Sequence, residues 1–338
     1  MLHMDRNTVE KLFADFANLK VLVIGDVMID SYIWGKVDRI SPEAPVPVVL
    51  VENRENRLGG AANVALNVQS LGAMPIMCSV VGTDQKANEF VQLLEDKNIS
   101  SVGIVKSPKR ITTTKFRIIG NNYQMLRVDE EDAHALSSAE NELFITRIKQ
   151  LIICENPAVI IFEDYDKGVI SESLIKQIVD FATANHIPVV VDPKKKNFLH
   201  YENVSLFKPN FKELCEGLKI ENISKDQENL NKICSALQKA NNIETILLTM
   251  SEHGVYVSKL DSNNMVNSEI IPAQIRNIAD VSGAGDTVIS IAGLCLALKL
   301  DAHDIAYISN IGGGLVCEAV GVVPINKDLL KNELLSVI

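Results

Sequence analysis

The stretch Asp280–Thr287, DVSGAGDT, precedes a long apolar run, VISIAGLCLALKL, that predicts a buried helix. Its residues 283–285, Gly-Ala-Gly, therefore stand at the N-terminus of that helix. A helix N-terminus exposes unpaired backbone amides and the positive end of the helix dipole. Because glycine lets a phosphate come close to those amides, we predict that Gly283, Ala284 and Gly285 form an anion hole for a transferring phosphoryl group.

Asp286, one step into the same helix, carries the catalytic part of this prediction. A carboxylate beside a phosphate site is electrostatically unfavourable unless it has a chemical task. Accepting the proton of an attacking hydroxyl is such a task. The alternative is a glycine-rich turn whose aspartate only caps the helix, and the spacing alone does not separate the two interpretations.

Apolar runs and helix-like segments alternate along the rest of the chain. Runs such as LKVLVIGD (19–26) and IPVVVDP (187–193) predict buried strands, and 60–71 and 170–184 predict helices. Hydrophobic residues make up 47% of the 338 residues, which is enough for a sizeable core. We predict one α/β domain over 1–338, with a central, mainly parallel sheet flanked by helices.

Two stretches interrupt the alternation. The segment 37–53 contains three prolines and has extended character, and 110–132 is rich in β-forming residues with a GNN turn at 120–122. We interpret both as antiparallel strands of a small β-sheet lid, with its strands within 31–53 and 110–129. Ordinary edge strands of the main sheet are the alternative.

Two further motifs place polar side chains near a ligand. In LGGAANVA (58–65), paired glycines begin a predicted helix and Asn63 is the polar side chain that could reach a ligand; tight helix–sheet packing is the alternative. In GDVMIDSY (25–32), Asp26 and Asp30 follow a buried strand, where α/β folds place ligand-binding groups. Carboxylates accept hydrogen bonds from sugar hydroxyls, although either aspartate could instead fix a loop.

The segment KPNFKE (208–213) places Asn210 and Glu213 three residues apart at a strand-to-helix junction. This spacing is that of a capping box, with Asn at the N-cap and Glu three residues later. Near a triphosphate, the same pair could organise a magnesium shell through water.

In this order and spacing, LGGAANVA, KPNFKE and DVSGAGDT resemble the signatures of the ribokinase-like (PfkB) carbohydrate kinases. The resemblance covers nearly the whole chain. It implies a ribokinase-like fold, a carbohydrate kinase activity, and ATP and Mg²⁺ as cofactors. In this family a β lid closes over the sugar and often forms a dimer interface, so the resemblance also implies a homodimer through the lid.

A more specific resemblance lies in RISPEAPVPV (39–48) and in TTTKFRIIGNNYQMLRVDEED (112–132). These segments are similar to the kinase part of the bacterial heptose enzymes of lipopolysaccharide precursor synthesis. The implied reaction is phosphorylation of the anomeric hydroxyl of D-glycero-β-D-manno-heptose 7-phosphate to the 1,7-bisphosphate. Many of those enzymes carry a second, nucleotidyl-transferring domain, and we expect a stand-alone kinase here. Glu163 and Asp166 depart from the pattern, which has smaller residues at those positions.

The resemblance also assigns roles to the residues of these motifs. Asp286 would be the base, with Gly283, Ala284 and Gly285 stabilising the transferring group. Sugar hydroxyls would be held by Asp30, Gly59, Gly60 and Asn63, and the 7-phosphate by cations among Lys115, Arg117, Arg127 and Lys194. The nucleotide would be held by Asn210, Glu213, Ser251, Gly254 and Asn310, with Glu213 reaching the metal through water.

Composition argues against other classes of protein. The net charge is −10 and no long basic run occurs, so nucleic acid is not an expected partner. Neither a signal peptide nor a membrane-spanning run is evident, and six cysteines without a CxxC pair indicate a reduced, cytoplasmic setting. A kinase for ribose, fructose or fructose 6-phosphate, a non-catalytic nucleotide or sugar sensor, and a Rossmann dehydrogenase remain as alternatives; the last lacks GxGxxG after its first strand.

Overall fold

The structure, a computed structural model, describes residues 2–221, 223–261 and 265–338. Its strands are β1 Lys20–Gly25, β2 Val27–Ile40, β3 Pro47–Gly60, β4 Met74–Val81, β5 Ser100–Lys106, β6 Thr114–Gly120, β7 Tyr123–Glu130, β8 Val159–Glu163, β9 Val189–Asp192, β10 Leu206–Phe207, β11 Thr245–Thr249, β12 Val255–Leu260 and β13 Val266–Ile271. Its α-helices are α1 Arg6–Asp15, α2 Ala61–Ser70, α3 Gln85–Asp96, α4 Ser138–Glu155, α5 Glu172–Ala184, α6 Phe211–Leu218, α7 Gln227–Asn241, α8 Ala284–Ala297, α9 Ala302–Val316 and α10 Lys327–Ser336.

A nine-stranded sheet in the order β13-β12-β11-β10-β9-β8-β1-β4-β5 forms the centre of the described chain. Its neighbours pair in parallel, except for the antiparallel pairs β11–β12 and β12–β13. Apolar runs such as that of β1 are buried on both faces, as parallel strands between two helix layers must be. This confirms the predicted mainly parallel sheet flanked by helices.

Helices cover both faces of this sheet. One apolar core includes residues of α1, α2, α3, α8, α9 and α10, and a second core includes residues of α4, α5 and α7. Helix α8 is apolar on nearly all sides because it lies inside the first core. No helix in the described ranges combines the length and the hydropathy needed to cross a bilayer.

A second, smaller sheet is built from the strands β3-β2-β6-β7. Strands β2 and β3 form a long antiparallel hairpin, and β6 and β7 form another one around the turn at Asn121 and Asn122, whose φ angles are 51° and 68°. The two hairpins are joined by a parallel pair, β2–β6, so the interpretation of this sheet as wholly antiparallel is wrong. The long hairpin also extends to Gly60, beyond the predicted limit of 53.

The carboxyl ends of the central strands position the candidate site. Gly25, Glu163 and Asp192 are register partners at the ends of β1, β8 and β9. From β1 the chain moves to β4 on one side, and β8 pairs with β1 on the other, so the strand order changes direction there. Such a switch point opens a crevice at the carboxyl ends of the strands, where α/β folds bind ligands.

Candidate active site

Asp286 lies in the first turn of α8 and is buried, with 7% of its surface exposed. Its Oδ2 accepts a hydrogen bond of 2.6 Å from Asn63 Nδ2 in the first turn of α2. Its Oδ1 accepts one of 2.9 Å from the hydroxyl of Tyr165, in the loop after β8. Two residues predicted from separate motifs, Asn63 and Asp286, are thus in direct contact, and Tyr165 is a partner that the sequence analysis missed.

The surroundings of Asp286 set its proton affinity. Burial raises its pKa to about 6, while the hydrogen bonds from Asn63 and Tyr165 lower that pKa, the charge of Asp192 raises it and Lys208 lowers it. The carboxylate is therefore ionised at neutral pH, yet its pKa is close enough to the working pH for efficient proton transfer.

The two glycines that precede Asp286 differ in whether the fold requires glycine at their positions. Gly283 is the N-cap of α8 with φ 81°, a left-handed conformation that favours glycine. Gly285 is helical, and a Cβ there would meet Lys208 Nζ at 3.5 Å and Asp192 Oδ2 at 3.7 Å, which are ordinary contacts. The protein fold itself therefore does not require glycine at 285, and the residue forms part of the wall of the cleft described below. The amide of Ala284 already donates a long bond of 3.3 Å to the Val281 carbonyl.

The predicted sugar-binding residues lie where the small sheet joins α2. Asp30 in β2 is buried, and its Oδ2 lies 2.6 Å from the position that a Cβ on Gly59 would occupy. Gly60 has φ 62° and is the N-cap of α2, the helix that presents Asn63. The paired glycines therefore let the Asp30 carboxylate approach β3 and let the helix begin immediately afterwards.

The predicted cations of the lid are already paired with carboxylates. Lys115 Nζ lies 3.1 Å from Asp129 and 3.4 Å from Glu131, and Arg127 Nε lies 2.9 Å from Asp129. The guanidinium of Arg117 contacts Asp30. Because Arg117 is opposite Arg127 and Lys115 is opposite Asp129 in the register of β6 and β7, these side chains share one face of the small sheet.

Arg57 joins this face and was missed by the sequence analysis. It lies directly opposite Asp30 in the β2–β3 register, and its guanidinium carbon is 4.7 Å from the centre of the Tyr32 ring. Arg117 lies over the same ring at 5.2 Å. Arg57 Nη1 is 3.7 Å from the Cβ position of Gly321, in the loop after α9. Only the strand register shows that Arg57 and Asp30 are neighbours, so the sequence contained no direct signal.

A cleft of about 700 Å³ opens beside the N-terminus of α8. Ala284 and Gly285 form part of its wall. The predicted nucleotide-binding residues Asn210, Ser251, Gly254 and Asn310 all line it, together with the apolar side chains of Val255, Ile275, Ile278, Val281 and Val288. Gly254 also has a structural reason, since its φ is 78° and a Cβ would lie 2.1 Å from the Ile271 carbonyl oxygen.

Glu213 forms the capping box that the spacing suggested. Its Oε2 accepts a hydrogen bond of 2.8 Å from the backbone amide of Asn210. In return, Asn210 Oδ1 accepts one of 2.8 Å from the backbone amide of Glu213. The other carboxylate oxygen contacts Lys194. Lys194, a candidate for the distal phosphate, therefore lies beside α6 and within 3.8 Å of Asp192.

A group of buried charges at the strand ends was not predicted as part of the site. Lys208 Nζ lies 2.7 Å from Asp192 Oδ2, and both side chains are buried. Within the described residues, Asp192 Oδ1 and both carboxylate oxygens of Glu163 have no hydrogen-bond partner. Burial, followed by the charge of Asp192, raises the pKa of Glu163 well above its usual range. Glu163 and Asp192 stand at the ends of β8 and β9, where α/β folds bind ligands, and this position could have identified them from the sequence.

Comparisons with known proteins identify the family of the chain. The pfkB family carbohydrate kinases match residues 18–328. The chain is 41% identical over 316 residues to the bifunctional protein HldE of Methylobacillus flagellatus, covering 94% of this chain and 63% of that protein. It is 35% identical to the HldE of Syntrophotalea carbinolica, covering 98% and 66%. The chain thus spans just under two thirds of the length of these relatives.

Solved structures share the fold at low sequence identity. Phosphofructokinase-2 from Escherichia coli, in complex with potassium, superposes with a TM-score of 0.75 at 18% identity, covering 94% of this chain and 98% of that one. Ribokinase from Arabidopsis thaliana, complexed with ribose and ATP, superposes with a TM-score of 0.68 at 14% identity, covering 93% and 98%. The ribokinase-like fold, with its smaller separate sheet, is therefore confirmed, and the chain belongs to the pfkB family of carbohydrate kinases.

Proposed function

We propose that this sugar kinase transfers the γ-phosphoryl group of ATP to the anomeric hydroxyl of D-glycero-β-D-manno-heptose 7-phosphate, giving the 1,7-bisphosphate. The observation that carries the proposal is the buried carboxylate of Asp286, hydrogen-bonded to Asn63 and beside the helix N-terminus that forms part of the wall of the 700 Å³ cleft. The heptose assignment rests on the segment 39–48, at the tip of the β2–β3 hairpin, and on the HldE relatives.

In this reaction Asp286 accepts the proton from the anomeric O1 as that oxygen attacks the γ-phosphorus. The O1–P bond forms, the bond between the γ-phosphorus and the bridging oxygen breaks, and ADP leaves with that electron pair. The amides at Gly283, Ala284 and Gly285 stabilise the charge on the transferring group, and the positive end of the α8 dipole adds to that effect. The Asp30 carboxylate accepts hydrogen bonds from the sugar hydroxyls, and the Asn63 amide can donate to them or accept from them.

Mg²⁺ fits the residues next to this position. Asp192 Oδ1 is a buried oxygen without a hydrogen-bond partner in the described structure, and Mg²⁺ prefers such oxygen ligands. Asp192 could hold the ion directly, whereas Glu213, which is bonded to Lys194 and Asn210, would reach it through water. When bound with ATP, the ion neutralises part of the phosphate charge.

The cations of the small sheet would bind the 7-phosphate. Arg57 and Arg117 flank Tyr32 next to Asp30, and the planar guanidinium group suits bidentate binding of phosphate. Lys115 and Arg127 lie on the same face, where Asp129 and Glu131 offset their charge, so they would bind the phosphate only by exchanging these partners. The contact of Arg117 with Asp30 would then be partly exchanged for contacts with the substrate.

The small sheet also offers a surface for a homodimer. Leu126 and Val128 are 55% and 43% exposed on the face opposite Arg127, and Leu50 and Tyr123 are exposed as well. Apolar side chains exposed together on one sheet are typical of an association surface.

A cytoplasmic location completes the proposal, because ATP and sugar phosphates are found there.

A coupled ADP-release assay with ATP and Mg²⁺ tests the proposal. The panel contains D-glycero-D-manno-heptose 7-phosphate, fructose 6-phosphate, ribose and fructose, with Asp286→Asn as the inactive control. We expect turnover with the heptose phosphate alone. Turnover confined to a plain sugar or to fructose 6-phosphate would contradict the heptose assignment while leaving the kinase activity intact. ATP binding without turnover on any acceptor would support the sensor alternative.

A further inference from the structure

The loop after β8, residues 164–169, brings a tyrosine hydroxyl into the site. The hydroxyl of Tyr165 donates to Asp286 Oδ1 over 2.9 Å, while Asn63 donates to Oδ2 over 2.6 Å. Each oxygen of the carboxylate thus has one fixed donor. The orientation of the carboxylate plane is therefore set by two groups from different parts of the chain.

A second buried carboxylate anchors this loop. Asp26, directly after β1, is 1% exposed and accepts the backbone amides of Tyr165 at 3.0 Å, Lys167 at 3.1 Å and Val169 at 3.0 Å. Arg110 donates to the carbonyl oxygen of Lys167 from the other side. Four hydrogen bonds to one short loop leave little freedom for the Tyr165 backbone.

We propose that Tyr165 is a positioning residue for the base. Its hydroxyl, held in place by the loop that Asp26 anchors, fixes Asp286 in the orientation that accepts the acceptor-hydroxyl proton and favours the ionised carboxylate. This inference rests on the proposed function, since it takes Asp286 as the base.

The charges around the pair are consistent with this role. Burial, and then the charge of Asp286, raises the pKa of Tyr165 well above its usual range, so the phenol stays neutral and donates. Asp286 faces Asp192, Glu163 and Lys208, and the Lys194 ammonium lies 5.5 Å from the centre of the Tyr165 ring. The hydrogen bonds to the Asp286 carboxylate come from Tyr165 and Asn63.

The test is the pH profile of kcat/KM for Tyr165→Phe between pH 5 and 9, together with its thermal unfolding. Loss of the donor removes an interaction that favours the ionised carboxylate, so the acid limb moves up by about one pH unit. We expect roughly a fivefold loss of kcat/KM near pH 6 that approaches tenfold near pH 5, with recovery towards the wild-type value at pH 9.

Tyr201→Phe is the matched control. The Tyr201 hydroxyl donates to Asp164 Oδ2 over 3.0 Å, so the variant loses a buried tyrosine hydrogen bond one residue away from Tyr165. Its acid limb should remain in place. Burial raises the pKa of Asp164 to about 7, and an equal shift in Tyr201→Phe would assign the limb to Asp164 and overturn the inference.

Other outcomes are equally decisive. A loss in Tyr165→Phe of the same size at every pH would indicate packing alone and overturn the inference. If that variant does not fold, Asp26→Asn is measured in the same way; a smaller upward shift supports the inference, and an unmoved limb contradicts it. An active Asp286→Asn would refute the proposed function itself, whereas an inactive Asp286→Asn with an unmoved limb in Tyr165→Phe refutes only the role of Tyr165.

Discussion

The two sides of the α8 N-terminus, which we propose bind the nucleotide and the sugar phosphate and call the nucleotide side and the sugar side, differ in shape and charge. The nucleotide side is an open cleft of about 700 Å³ with mostly apolar walls and few charges. The sugar side is crowded with charges that are already paired, such as Arg117 with Asp30 and Lys115 with Asp129. From this difference we infer that the shape of the cleft selects the nucleotide. The sugar phosphate is selected by its ability to replace the carboxylates that now pair with the arginines and lysines of the small sheet. Asp286, the proposed base, lies at the boundary between the two sides.

The largest loss of activity should come from a substitution of Asp286, at the boundary between the two sides. Asp286→Asn removes the proposed base but keeps the size of the side chain, so we expect kcat to fall about 10²–10⁴-fold. The KM for ATP should change little, since Asp286 is not among the residues that line the cleft. Steady-state kinetics with saturating heptose phosphate checks this, and a large rise in the KM for ATP would place Asp286 on the nucleotide side instead.

The substitution Gly285→Ala should affect stability and phosphoryl transfer in opposite directions. The nearest protein atom to that Cβ is 3.5 Å away, so Gly285→Ala should fold and gain roughly 0.5–1 kcal/mol of stability from better helix propensity. The methyl group would occupy the predicted phosphoryl position and lower kcat on the order of 10²-fold.

Gly283→Ala is the comparison variant for Gly285→Ala. With φ 81° at position 283, this substitution should lower stability as well as activity. Denaturant unfolding and kcat, measured on both variants, check the pair. Full activity in Gly285→Ala would remove the anion hole from the account.

Arg57 tests the sugar side alone. Arg57→Met should lower kcat/KM for the heptose phosphate about 10–100-fold, because a charge-assisted hydrogen bond to phosphate contributes about 1.5–3 kcal/mol. The KM for ATP should not change. Arg54→Met is the matched control, since Arg54 lies three residues earlier in β3 and on the opposite face. Equal losses in both variants would point to a general electrostatic effect.

The smallest effect concerns pH. With the pKa of Asp286 at about 6, kcat/KM should be halved near pH 6 and fall tenfold per unit below it. The same carboxyl has a folded pKa above its usual 3.8, so its contribution to stability is present at low pH and is lost as pH rises through about 6.

Asp286→Asn should therefore gain stability relative to wild type between pH 5 and pH 8. Denaturant midpoints at the two pH values check this expectation. A stability difference that does not depend on pH would contradict the raised pKa.

The sequence was sufficient for the central sheet and its flanking helices. Alternating apolar runs predicted the parallel sheet. Three predicted residues that line the cleft, Asn210, Ser251 and Gly254, came from segments that follow strands, whereas Asn310 lies within α9. Tyr165 and Arg57 could not be predicted in this way, because each acts through a partner more than 20 residues away, Asp286 and Asp30. Their proximity depends on loop anchoring and on strand register, neither of which a local pattern encodes. The parallel β2–β6 pair was missed for the same reason.

The most direct measurement is ³¹P NMR of the products formed from ATP and D-glycero-D-manno-heptose 7-phosphate. We expect one equivalent of a new anomeric phosphate for each equivalent of ADP formed, with the original 7-phosphate signal retained, and both products to form about 10²–10⁴-fold more slowly with Asp286→Asn. ADP and inorganic phosphate without a new sugar phosphate, or a phosphate on a different hydroxyl, would contradict the transfer to the anomeric oxygen.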